Sequence, residues 1–181
     1  MFGRLFAIFL ALTLAVPAHA QDFLVKKPIG RWTVYRYDND CWMRTKLTDG
    51  TILAFSTAKD YPDLYIVLEN ADWSSIKTGE VYPVRVVFGT LDQEQRAYGA
   101  EKEGPVDPSI AFFLPGSQDS YIGTLQASDG IRITMKGKDL VQTALTDEGT
   151  DPALDYLRRC TASMRGGSVP SDKSGNDPFK S

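Results

Sequence analysis

The chain has 181 residues, and its 20 basic and 23 acidic side chains give a formal net charge of −3. The two signs are mixed along the sequence without the basic stripe that proteins use to contact nucleic-acid phosphates, so no nucleic-acid partner is expected. This length suits a single domain with a substantial core.

The first twenty residues have the pattern of an export signal. Arg4 gives a positive start, residues 5–16 form an apolar run, and residues 17–20 (Pro-Ala-His-Ala) end in a small-x-small cleavage sequence. The run is too short to span a bilayer, and no later stretch reaches the roughly 20 apolar residues that a membrane helix needs. We therefore expect residues 1–20 to be removed as a signal peptide from a periplasmic or secreted protein with no membrane span.

An antiparallel meander is predicted next. Residues 31–37 are almost all β-branched or aromatic, as strands prefer. Two further strand-like runs, 41–46 and 51–56, flank Asp49 and Gly50. Asp-Gly between such runs is a strong hairpin signal because glycine tolerates positive φ.

The middle of the chain continues the sheet. Residues 64–68 are apolar enough for a central strand, and residues 81–88 predict the longest strand, in which Pro83 favours an edge position or a bulge. Further elements are expected at residues 73–76 (a single helical turn), 90–98 and 109–114 (strands), 118–127 (a short amphipathic helix), and 131–136 with 138–145 (a hairpin around Gly137).

The clearest helical pattern closes the domain. Asp151 predicts the N-cap, and Pro152 predicts the first helical position. After the helix, residues 168–181 are too polar to bury a core and are expected to be a disordered tail. The predicted organisation is therefore a signal peptide (1–20), one β-rich domain (21–167) and this tail. The fold class is mainly β, an antiparallel β-sandwich or partly open barrel with one short helix and a C-terminal helix.

Two cysteines in an exported chain, without a CxxC spacing, most simply form one disulfide. Cys41 lies in the meander, and Cys160 lies on the apolar stripe of the last helix. A bond between them would close a long loop, worth about 4–5 kcal/mol in the chain-entropy model. Free or redox-active thiols are the alternative.

The only histidine, His19, lies within the predicted signal peptide. The exported chain therefore lacks the base of Ser-His-Asp and Cys-His nucleophilic systems and the common ligand of zinc sites. No GxGxxG or P-loop motif is present, so no cofactor is expected. Asp38-Asn39-Asp40 resembles half of a calcium loop but lacks its glycine and distal glutamate, so no metal site is expected either.

Two kinds of side chain remain as candidates for function. Carboxylates at the ends of predicted strands could cleave glycosides in pairs, although such residues are also ordinary in turns; these are Asp38, Asp40, Glu69 and Asp72. Aromatic residues are concentrated in the first half, and a strip of them left exposed on a strand face could bind a ligand. The candidate binding face consists of Trp32, Tyr35, Tyr37, Trp42 and Trp73.

The layout also resembles a known family. The resemblance rests on a Gly-x-Trp-x-Val opening (30–34), an early cysteine, an Ile-Arg-Ile-Thr-Met strand (131–135) and an Ala-Leu-x-x-Leu-x-x-Cys helix (153–160). It is similar to the invasion-associated locus B family of small exported alphaproteobacterial proteins. The resemblance implies a β-sandwich with an envelope function, without known catalytic residues.

These patterns favour an exported, non-enzymatic β-sandwich that binds a partner protein or an envelope polymer such as a glycan. The alternative is a carboxylate-dependent hydrolase of envelope glycans. An exposed carboxylate pair about 5–10 Å apart in a cleft would favour the hydrolase. A flat aromatic strip would favour binding.

Overall fold

The computed structural model describes residues 24–37 and 39–166. These residues form ten strands and two helices, in chain order β1 (Leu24–Ile29), β2 (Trp32–Tyr37), β3 (Asp40–Lys46), β4 (Ile52–Ala58), β5 (Leu64–Glu69), β6 (Val81–Phe88), β7 (Leu91–Ala100), β8 (Ser109–Leu114), α1 (Gln118–Gln126), β9 (Gly130–Met135), β10 (Lys138–Ala144) and α2 (Thr150–Met164). The predicted signal peptide, Asp38 and the predicted tail lie outside the described residues.

All ten strands belong to one antiparallel sheet with the order β1-β2-β3-β4-β5-β8-β7-β6-β9-β10. Strands that follow one another in sequence are paired, except that β8 returns to pair with β5 and β9 joins β6. The sheet curls into a half-barrel. This confirms the predicted mainly β fold and corresponds to the partly open barrel.

One face of the sheet forms the core and is covered in part by α2; we call it the inner face. Five adjacent strands place fully buried register partners on it, namely Val34, Met43, Phe55, Ile66 and Phe112. Complete burial of one such side chain stabilises a fold by about 1.5–3 kcal/mol. Because side chains alternate along a strand, the residues between these point to the opposite, outer face.

The middle strands differ from prediction in one respect, since the longest strand is β7, with 10 residues, and not β6, with 8. Pro83 is not at a bulge, because the register of β6 with β7 runs unshifted through it. The pairing of β6 with β9 reaches only as far as Val84, so at Pro83 the strand is paired on one side, as at a sheet edge. Sheets tolerate proline at such positions.

The segment predicted as a single helical turn consists of successive tight turns. Trp73 donates its backbone N–H to Asn70, and Ile76 donates to Trp73. Asn70 also accepts the backbone N–H of Asp72 on its side-chain oxygen. Such side-chain turns compete with helix formation, which explains why no helix begins here.

Both predicted helices are present. In α1 the N-cap Ser117 accepts the backbone N–H of Ser120, and Ile122 is buried. The N-cap of α2 is Gly149 rather than Asp151, because Asp147 already accepts hydrogen bonds from the Gly149 N–H and the Thr150 hydroxyl. Among the described residues, no helix is both long and apolar enough to cross a membrane.

The disulfide between Cys41 and Cys160 is present, as predicted, and joins β3 to α2 across 119 positions of sequence. Two further contacts hold the same helix on the inner face. The hydroxyls of Thr57 and Thr161 share a buried hydrogen bond of 2.5 Å. Beyond the helix end, Arg165 donates to three backbone carbonyls, one at the end of β4 and two in the connection from β4 to β5. The last helix is therefore fixed at several points along its length.

Candidate functional site

The outer face of the sheet carries a line of aromatic side chains, which we call the aromatic row: Tyr35 on β2, Trp42 on β3, Tyr65 on β5 and Phe113 on β8. Tyr35 pairs with Trp42, Trp42 with Ser56 of β4, Ser56 with Tyr65, and Tyr65 with Phe113. The row therefore crosses five adjacent strands, a distance of about 19 Å at the usual strand spacing.

Neighbouring rings of the row are in contact. The rings of Tyr35 and Trp42 are nearly parallel, with centroids 6.2 Å apart and planes 5° apart. Those of Tyr65 and Phe113 are 4.5 Å and 29° apart. Between the two pairs, Trp42 and Tyr65 meet edge to face at 6.0 Å and 80°. Packing between rings therefore holds the row together as two pairs of near-parallel rings.

Small side chains on β4 allow this contact. Ser56 separates Trp42 from Tyr65 in the register, yet the two rings meet across it. As a result Ser56 is only 3% exposed, although its side chain does not point into the core. Its outer-face neighbour Ala54, which lies between Arg44 and Val67, is 2% exposed. The rings therefore cover part of the sheet while forming its outer surface.

Charged groups of both signs border the row. On one side Arg44 lies 3.9 Å from Glu69, and on the other side lies Asp40. Burial raises the pKa of the Tyr35 phenol, an effect that Arg44 partly offsets. Burial also raises the pKa of Tyr65, and the negative charge of Asp40 adds to the increase. These groups provide hydrogen-bond donors and acceptors beside the rings.

The other half of the outer face has a different character. Arg85 of β6 is bonded through two nitrogens to Asp92 of β7, and Arg132 of β9 is bonded in the same way to Asp139 of β10. The closest approach in each pair is 2.6 Å. Hydrogen bonds from Arg85 hold the pKa of Asp92 below its usual value. The outer face is thus aromatic over β2–β5 and β8, and ion-paired over β6, β7, β9 and β10.

The structure divides the five predicted face residues. Tyr35 and Trp42 belong to the row. Tyr37, which is 38% exposed, lies on the same face of β2, two residues beyond Tyr35. Trp32 is wrong as a face residue, because strand alternation directs it inward and it is fully buried. Trp73 lies in the turns after β5, packed against the core, and takes no part in the row.

Two members of the row were not among the predicted face residues. Phe113 is 50% exposed, and its neighbours on β8 show why: Phe112 and Leu114 are fully buried, so Phe113 must point outward. That alternation is readable in the sequence. The pairing of β8 with β5, which brings Phe113 beside Tyr65, is not, because the β6–β7 hairpin separates the two strands in the chain.

Two of the four candidate carboxylates, Asp40 and Glu69, lie too far apart to act as a catalytic pair. Asp40 aligns with Ala58 and Glu69 aligns with Ile52, so six residues, or about 20 Å, separate them along the strands. Glycosidases place their two carboxyl groups about 5–10 Å apart. Within the described ranges, no group of three or more His, Cys, Asp or Glu side chains is arranged to hold a metal ion.

Comparison of the chain with known proteins identifies no relative. No family model matches the sequence. No curated protein and no solved structure shows significant similarity to the chain.

Proposed function

We propose that this is an exported, non-enzymatic binding protein, and that it contacts a partner protein or an envelope polymer through the aromatic row. The observation that carries the proposal is the line of four touching rings, Tyr35, Trp42, Tyr65 and Phe113. Among the described residues, α2 packs on the inner face of these strands, and the rings lie on the opposite face. Outer strand faces are ordinarily polar when they contact only water. The ion-paired half of this same face follows that rule, and the aromatic half departs from it.

The exposure of the rings supports a binding role over simple packing. Rings that served only to cover Ser56 would not need to extend to Phe113, half of which is exposed. Tyr98, 51% exposed, lies beside the row near the end of β7, where it pairs with Ala111 of β8. Contiguous exposed apolar groups on a folded protein commonly mark a contact surface.

The disulfide supports the exported location, because such bonds persist in oxidising compartments. The export signal in residues 1–20 and the resemblance to the invasion-associated locus B family point the same way. We therefore propose that the protein is a member of that family and that it is periplasmic or secreted.

The test compares retention of envelope components by the wild-type mature chain with retention by Phe113→Ala. The matched control is Tyr61→Ala, which removes a ring that is 66% exposed in the β4–β5 connection and that takes no part in the ring contacts of the row. Unchanged near-ultraviolet circular dichroism establishes that both variants are folded. Loss of a retained component in Phe113→Ala alone supports the proposal. Equal retention by all three proteins, or by none, contradicts it.

A further inference from the structure

We infer that β7 binds an extended peptide segment of a partner protein, along the edge that it presents to β8. Among the described residues, the two strands are paired only over residues 98–100 of β7 and 109–111 of β8. Beyond this point they separate, although β7 extends back to Leu91 and β8 extends on to Leu114. We call the opening between them the β7–β8 gap. The site consists of backbone groups, so the inference goes beyond the proposed function and does not rest on the aromatic row.

The backbone groups of Asp92, Glu94 and Arg96 point into the gap. In an antiparallel ladder, the N–H and C=O groups of successive residues point to opposite edges of a strand. Gly99 exchanges backbone hydrogen bonds with residues 79–80, directly before β6, so the odd-numbered residues of β7 face β6. The even-numbered residues therefore face β8. At these three positions the backbone groups have no hydrogen bond to any other described residue, and the residues are exposed.

Free backbone groups of this kind select a peptide as the ligand. An extended peptide carries N–H and C=O groups at the same spacing, and the addition of a strand to an exposed sheet edge is a common mode of recognition. The peptide runs antiparallel to β7, because antiparallel pairing is slightly more stable than parallel pairing. Its other edge faces Phe113, where β8 is paired with β5 and not with β7.

The two outer edges of the sheet are less suited to the same role. The edge strands β1 and β10 each contain a register shift. In addition, β1 contains Pro28, and the Ala144 carbonyl oxygen at the end of β10 already accepts a hydrogen bond from Arg31. Bulges and prolines are the usual devices that prevent an edge strand from pairing. By contrast, β7 contains no proline, and its register with β6 is unshifted from Leu91 to Tyr98.

The side chains around the gap define the peptide. Tyr98 and Phe113 are half exposed on the outer face at its closed end, so a large apolar side chain at this end packs beside both rings. Glu94 favours a basic side chain opposite it. In the antiparallel direction, the basic residue follows the apolar one by two positions. On the inner face, the Gln93 Nε2 atom is buried without a hydrogen-bond partner among the described residues, and an acceptor on the peptide would satisfy it.

The first experiment selects peptides from a displayed random library against the mature chain and measures the affinity of the enriched sequence. Wild type is expected to enrich peptides with the apolar-x-basic pattern. Glu94→Pro removes one N–H donor from the gap and should weaken binding at least about tenfold. The variant should fold, because this N–H does not bond to β6 and sheets accept proline at such positions. Glu94→Ala is the matched control, since it keeps the N–H and should weaken binding only a few-fold.

Amide hydrogen exchange provides a second measurement, on the wild-type chain. The N–H groups of Asp92, Glu94 and Arg96 should exchange rapidly in the free protein and at least about tenfold more slowly in the peptide complex. The N–H groups of Gln93 and Gln95, which bond to β6, should exchange slowly in both states. This measurement decides the question even if Glu94→Pro does not fold.

Several results would overturn the inference. They are a library that yields no binding peptide, peptides that bind folded Glu94→Pro as tightly as wild type, or exchange that slows on β1 or β10 and not on β7. A second copy of the chain is the other possible occupant of the gap. If wild type dimerises in the absence of peptide and Glu94→Pro does not, the gap pairs with that copy and the peptide inference is wrong.

Discussion

Trp32 and Thr150 lie 118 positions apart in the chain, yet the Trp32 indole Nε1 donates a buried hydrogen bond of 2.9 Å to the Thr150 hydroxyl. That hydroxyl in turn donates to Asp147, whose carboxylate also pairs with Arg31 at 2.8 Å. Arg31 reaches further, to the hydroxyl of Thr143 and the carbonyl oxygen of Ala144 on β10. The network therefore connects the β1–β2 turn to the other edge strand and to the start of α2.

Thr150→Val tests the buried part of this network. The substitution keeps the side-chain shape but leaves the Trp32 indole N–H without its acceptor, so the free energy of unfolding should fall by about 1–3 kcal/mol. Urea denaturation gives the value. Thr143→Val is the matched control, because it removes an exposed hydrogen bond from Arg31 and should change stability by at most about 0.5 kcal/mol. Equal effects of the two substitutions would contradict this view of the network.

Gly149→Ala tests the close approach of the two loops. A Cβ atom at Gly149 would lie 2.7 Å from both the Gly30 Cα and the Ile29 carbonyl oxygen, so the loops must separate. We expect a loss of about 1–3 kcal/mol, in the range of overpacking substitutions. Gly123→Ala in α1 is the control, since its Cβ meets nothing within 4 Å. Alanine favours the helix there and should stabilise it by about 0.5–1 kcal/mol. Thermal denaturation should therefore move in opposite directions for the two variants.

Local patterns account for most of what the sequence predicted correctly. The Asp49-Gly50 hairpin, the strand at Ile110 and the stripe of the last helix each depend on residues close in sequence, and each element is present. Asp151 does not cap the helix, because α2 begins at Thr150, directly after a turn in which Asp147 accepts hydrogen bonds from the Gly149 N–H and the Thr150 hydroxyl. The local pattern around Pro152 does not reveal this earlier turn.

The candidate site was harder to predict because it depends on pairing between distant strands. Alternation along β2 separates Trp32 from Tyr35, but composition alone treated both as face residues. The contact of Trp42 with Tyr65 needs the register of β3, β4 and β5 together with a small residue at Ser56. Phe113 joins only through the return of β8 to β5. These are tertiary relationships that no local pattern specifies.

Removal of the disulfide should have a large effect on stability. The bond between Cys41 and Cys160 spans 119 positions, for which the loop-closure model gives about 4–5 kcal/mol. The double substitution of both cysteines to alanine should lower the free energy of unfolding by an amount near that value. Denaturation of wild type with and without reductant provides the second measurement. A change below about 1 kcal/mol in both experiments would show that the other contacts of α2 hold the helix unaided.

Alkaline pH should weaken the fold through three tyrosines. Burial raises the pKa of Tyr35, Tyr65 and Tyr156 above the ordinary value of 10.0. The unfolded chain therefore loses these protons at lower pH than the folded chain does. Their contribution to stability is complete below pH 10 and is lost as the pH rises through the folded-state pKa values.

Tyr65→Phe isolates one of these groups within the aromatic row. An alkaline titration of this variant lacks the phenolate absorbance of Tyr65. The difference between the wild-type and variant titrations is therefore the titration of Tyr65, which should occur above pH 10. Asp40→Asn removes the carboxylate that adds to the increase, so the pKa of Tyr65 should fall in that variant while burial keeps it raised. If the missing absorbance instead develops at or below pH 10 in the wild type, the Tyr65 ring is more exposed than its packing against Trp42 and Phe113 allows.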